Sequence, residues 1–128
     1  DRIIIANGIV GVITSDDSGK SWRKNPMPAD ANYPDPIVIH PDQPDLIFLT
    51  AGVGWPPHWY KRGRARGKSI RSRDAGQTWQ RLLGGLPNGQ RATYGALTIE
   101  TFDGGYSLHA ADSDGHGFPA WNHSHGNY

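Results

Sequence analysis

Short apolar runs, each bounded by Pro, Asp or Gly, punctuate the chain. Residues 2–7 read RIIIAN, 36–40 read PIVIH and 46–52 read LIFLTAG. Later, 96–100 read ALTIE and 106–110 read YSLHA. Runs this short, rich in β-branched residues and closed by turn formers, predict strands joined by tight turns. The turn segments are PDQPD at 41–45 and TFDGG at 101–105. No stretch carries a 3.6-residue apolar period, so no helix is expected.

Two eight-residue boxes interrupt these runs. Residues 15–22 read SDDSGKSW and residues 72–79 read SRDAGQTW, both fitting Ser-x-Asp-x-Gly-x-x-Trp. Each position has a local task. Asp17 and Asp74 can accept hydrogen bonds from the amides of the turn that follows. Gly19 and Gly76 stand where a tight turn needs positive φ. Ser15 and Ser72 can bond locally, and Trp22 and Trp79 can pack over the turn as the next strand begins. The flanking runs repeat with the boxes. They define a four-strand unit, complete over 36–84, with strands near 36–40, 46–51, 69–73 and 79–83. The box spans the turn from third to fourth strand. A partial unit of three strands precedes it in 1–28, and another, of two strands, follows in 96–128. Beyond residue 112 the pattern decays.

Composition supports many strands and turns. Of 128 residues, 17 are Gly and 10 are Pro, and both disfavour helix interiors. Five Trp and five Tyr argue against disorder. The length suits one domain or less. With no Cys, the chain has no disulfide, thiolate metal site or cysteine nucleophile. That absence chooses no compartment, and an extracellular or periplasmic place stays open. No apolar run is long enough for a membrane span. The formal charge of +1 is unevenly spread. Six cations fall within 61–71 (Lys61, Arg62, Arg64, Arg66, Lys68 and Arg71), with no acid among them.

The two boxes, with their flanking strands, resemble the Asp-box, or bacterial neuraminidase repeat, of β-propellers. The phrase HPDQPDLIFLTAG ahead of IRSRDAGQTWQRL is similar to repeat proteins described as sialidase-like. The resemblance covers nearly the whole chain to about residue 112. It implies an all-β propeller segment of four-stranded antiparallel blades. In that family the box is a folding element of enzymes and non-enzymes alike, so Asp17 and Asp74 are expected to be structural. One Asp per turn also falls short of the six to eight oxygens that calcium takes.

Strand alternation then sorts the loops. Turns from first to second and from third to fourth strand share one face, and the remaining loops share the other, where propeller ligands commonly bind. The longest loop on that second face, 53–68, is aromatic, basic and glycine-flanked, as functional insertions often are. Trp55, Trp59 and Tyr60 offer surfaces for sugar rings or a protein partner. Arg62, Arg64 and Arg66 offer bidentate donors for carboxylate, sulfate or phosphate. His58 offers an imidazole as a candidate acid or base. The neighbouring loop adds Arg91 and Tyr94. A capping role for Trp55 and a solubilising role for the arginines compete with these readings.

Catalysis by this segment is not expected. The sole glutamate, Glu100, has no partner carboxylate positioned for glycoside hydrolysis. The arginine-isoleucine-proline signature of sialidases is missing, since Arg2 is followed by Ile3 and Ile4. In the tail, His116, His123 and His125 hint at a metal site but lack a carboxylate pattern, and no metal or other cofactor is expected. The acidic remainder of the chain argues against nucleic acid. The sequence therefore reads as a non-catalytic binding or scaffolding propeller segment recognising a glycan or an acidic protein surface through 53–68. The alternative is part of a sialidase-like or other glycoside hydrolase. About two blades do not close a ring of four to eight. The chain thus reads as a piece of a longer protein, needing further blades in cis or from other copies.

Overall fold

The computed structural model describes residues 1–62, 65–82, 94–112 and 117–123, with the backbone alone at 60, 62, 94, 95, 112 and 117–123. Among the described residues, ten strands form three antiparallel sheets. The first sheet joins β1 (Ile3–Asn7), β2 (Gly11–Ser15) and β3 (Arg23–Asn25). The second has four strands in sequence order: β4 (Tyr33–His40), β5 (Gln43–Gly52), β6 (Lys68–Ser72) and β7 (Gln80–Arg81). The third joins β8 (Tyr94–Phe102), β9 (Gly105–Asp112) and β10 (Gly117–His123), with β9 in the centre.

The strands outrun their apolar runs. β4 and β5 are separated only by Pro41 and Asp42, and β8 and β9 only by Asp103 and Gly104. Prolines explain the shortfall in the sequence reading. Pro34 and Pro36 lie in β4, an edge strand, and the register shifts between Asp35 and Ile37. Edges and bulges are where a residue without an N–H is tolerated in a sheet. Likewise Pro119 sits at the irregularity of β10, another edge strand, which adds a third strand where the sequence suggested decay.

A helix also forms, against expectation: α1 spans Pro56–Arg62. Seven residues make too short a window for periodicity to register. Its two leading prolines, Pro56 and Pro57, arrive with φ already near the helical value.

The sheets stack through two apolar layers. Val12, Ala31, Leu49, Ala51 and Ile70 pack between the first and second sheets, with Ile4, Ala6, Ile37 and Trp79 against them. Leu46, Phe48, Leu82, Tyr106, Leu108 and Ala110 pack between the second and third. Period-2 alternation along β5 produces both layers: Leu46 and Phe48 face one way, Leu49 and Ala51 the other. Strand β4 touches β1 on one side and β8 on the other. Among the described residues the sheets follow one another without closing on themselves.

Candidate functional site

The boxes are built alike. In the second, the Ser72 hydroxyl donates to Asp74 Oδ1 at 2.7 Å and accepts from the Gly76 amide at 2.8 Å. In the first, Ser15 does the same for Asp17 and Gly19, at 2.8 Å each. The carboxylates take two further bonds from a residue the pattern left unspecified. Thr78 gives its amide, at 2.8 Å, and its hydroxyl to Asp74; Ser21 does so for Asp17. A hydroxyl residue stands at that position in both boxes, and the identity was visible in the sequence. These donors hold the carboxyls of Asp17 and Asp74 down at about 2, the side chains of Ser21 and Thr78 contributing most. Positive φ is shared by two residues per turn, Ser18 with Gly19 and Ala75 with Gly76.

The tryptophans differ. Trp79 donates its indole N–H to Pro26 O of the first sheet's exit, at 2.9 Å. Trp22 donates to Gly19 O in its own turn, at 3.1 Å, and is 42% exposed. The box residues are thus committed to the turn and to contacts between sheets.

Beside the β1–β2 turn, a cleft of about 530 Å³ opens between the first two sheets. One wall is the β1–β2 turn. There Asn7 Oδ1 accepts from the amides of Ile9 and Val10, at 2.9 and 3.1 Å, closing an Asx turn. This leaves Ile9 74% exposed. The other wall is the start of the long loop, with Gly54 and Trp55, the latter 59% exposed. Lys24, Asn25, Pro26, Met27 and Asn32 also line it, and Asn32 Oδ1 accepts from the Gly54 amide at 2.7 Å.

The base of the loop is pinned. Val53 N donates to Ala65 O at 3.0 Å. Trp59 donates its indole N–H to Val53 O at 2.8 Å and to Gly54 O at 3.1 Å. Its ring meets Tyr33 edge-on at 5.1 Å, and it lies so close to Gly52 that a Cβ there would stand 2.7 Å from it. Trp59 therefore anchors α1 to the sheet, while Trp55 faces solvent. His58 is exposed, and its amide donates to Trp55 O at 2.9 Å.

The basic run is dispersed. Lys61 and Arg66 are exposed, and Arg66 has positive φ. Lys68 pairs with Asp30 at 3.3 Å. Arg71 is not a surface cation: it lies buried in β6, donating to Gln80 Oε1 at 2.5 Å and to Tyr106 Oη at 3.5 Å. Strand alternation turns it into the layer between the second and third sheets. Arg64, Arg91, His116 and His125 lie outside the described residues, as do the side chains of Tyr60, Arg62, Tyr94 and His123. Glu100 pairs with His109 at 3.4 Å on the outward side of the third sheet. Among the described residues no three His, Asp or Glu side chains gather as a metal site, and no helix is long and apolar enough to cross a membrane.

No known family model matches the chain, and no curated protein is significantly similar to it.

Proposed function

We propose that the chain is a segment of a non-catalytic Asp-box β-propeller whose loop-side cleft recognises a glycan or an acidic protein surface. An acidic protein surface is the better fit. The observation that carries this is the exposure of Trp55 beside Ile9 and Val10 at the cleft between the first two sheets. Exposed aromatic and branched aliphatic side chains together suit a protein partner more than a sugar ring, which favours planar polar neighbours. Lys24 in the lining and Lys61 and Arg66 on the loop would draw an acidic partner. The described cleft lining holds no carboxylate, whereas glycoside hydrolysis takes two.

Positional equivalence supports the need for a further sheet. Ile3 pairs with Ser15 as Ile47 pairs with Ser72, and Ile5 with Ile13 as Leu49 with Ile70. Ile47 and Leu49 are fully buried, while Ile3 and Ile5 are 39% and 41% exposed. The outer face of the first sheet thus repeats, uncovered, a face that the second sheet buries against its neighbour.

The test is binding of acidic peptides and of acidic glycans to the wild-type chain and to Trp55→Ala and Lys24→Ala variants, at two salt concentrations. Loss of peptide binding in both variants, with a weaker salt dependence in Lys24→Ala, supports the reading. Unchanged binding in both variants moves the site elsewhere.

A further inference from the structure

A second cleft, of about 650 Å³, opens on the box-bearing side between the second and third sheets, and its mouth is framed by two tight turns. His40 closes β4 beside this cleft and is only 7% exposed. Its Nδ1 accepts the Asp42 amide at 3.1 Å, which places the ring proton of the neutral imidazole on Nε2. Tyr106 meets the ring edge-on at 5.6 Å and fixes its plane. Among the described residues Nε2 has no hydrogen-bond partner, and it is not sealed from solvent. A buried imidazole with one edge used by the turn and the other presented at a cleft is a built donor without an acceptor.

The rest of the lining carries opposite charges that do not consume each other. Arg73 projects from the second box and Asp42 from the β4–β5 turn, and neither forms an ion pair among the described residues. The third charge, Asp45, is already matched by Arg2 Nη1 at 2.8 Å. Phe102, 43% exposed at the end of β8, supplies an apolar wall. One donor, one cation and one anion around an apolar surface complement a ligand carrying both charges.

We infer that this cleft binds a small zwitterion of the amino-acid class with an apolar side chain. Its carboxylate meets His40 Nε2–H and Arg73, its ammonium meets Asp42, and its side chain lies on Phe102. Net-anionic ligands are disfavoured by Asp42, and net-cationic ones by Arg73. The site is independent of the Trp55 cleft, which lies on the other side of the sheets.

The experiment is titration of the full chain with phenylalanine, followed by calorimetry and by amide and imidazole NMR. Expected are shifts of the His40 ring nitrogen and of the Gly104 and Gly105 amides. Exposed Arg73 and Asp42 tolerate replacement, and Arg73→Gln and Asp42→Asn should each weaken binding by about tenfold. Acetate alone, phenethylamine alone and the doubly capped amino acid should all bind more weakly than phenylalanine. Equal binding of acetate would reduce the site to an anion contact and overturn the proposal. So would the absence of shifts at His40 up to millimolar ligand. Trp55→Ala should leave these shifts unchanged, so the two clefts fail or succeed separately.

Discussion

Asn25, at the end of β3, donates its side-chain amide to the carbonyl of Gly76 at 3.1 Å, across the boundary between the first and second sheets. It also donates to Ala75 O at 3.2 Å and accepts from Thr14 Oγ1 at 2.6 Å. A Cβ on Gly76 would stand 2.5 Å from Asn25 Nδ2. One sheet's last strand is therefore fastened into the next sheet's box. The equivalent glycine, Gly19, has only ordinary contacts, to Trp22 and Ile3 at 3.7 and 3.8 Å.

This contrast separates two costs. Gly19 and Gly76 both have φ near +90°. Alanine at either meets backbone strain of about 1 kcal/mol. Gly76→Ala must also displace Asn25, and its loss should reach about 2–3 kcal/mol. Denaturant midpoints of the two variants will show the gap. In the double variant Asn25→Ala with Gly76→Ala the losses should fall short of additive, because the clash is gone.

Ser72 is buried and serves three groups of the turn, the Asp74 carboxylate and the amides of Asp74 and Gly76. Ser72→Ala leaves the Gly76 N–H without its partner. The expected loss is about 1–3 kcal/mol, measured by chemical denaturation.

The box carboxylates give stability a defined acid limit. Asp17 and Asp74 titrate near 2 in the folded chain against 3.8 ordinarily. A depressed folded value means the carboxylates contribute fully above about pH 4, and that contribution is lost as pH falls through about 2. Asp74→Asn should therefore lower the melting temperature at neutral pH and flatten its fall between pH 4 and 2. An unaltered pH profile in this variant would show that the carboxylate is not linked to folding.

The uncovered face of the first sheet makes a further claim testable. Ile5→Glu replaces an exposed side chain, so its effect on folding should stay within about 0.5 kcal/mol. It should nevertheless reduce concentration-dependent association of the chain, read by light scattering. Association unchanged by this substitution would place the contact on another surface.

Much of this fold was legible because local chemistry repeats. The boxes announced both tight turns, and the runs at 36–40 and 46–52 announced β4 and β5. What escaped was set by partners distant in sequence. Asn25 is an ordinary polar residue until Gly76, 51 positions away, is packed against it. Arg71 looked like part of a surface patch, and only the sheet stacking shows it buried beside Tyr106. Trp55 and Trp59 share one loop and one composition, yet the carbonyls of Val53 and Gly54 claim Trp59 alone. The loop-side cleft inherits its shape from these choices. Sequence gave its aromatic wall in Trp55, while its other wall, Ile9 and Val10, depends on an Asx turn at Asn7.

The two box tryptophans also make the molecule its own optical gauge. Indole emission moves to shorter wavelength as water is excluded from the ring. Trp79, hydrogen-bonded to Pro26 O across a sheet boundary, should emit further to the blue than Trp22, which folds back on Gly19 O at a free surface. Anything that comes to rest on the first sheet would shift the Trp22 signal and leave that of Trp79 in place. With the remaining three tryptophans replaced by phenylalanine, docking at that face becomes a colour change that can be followed in real time.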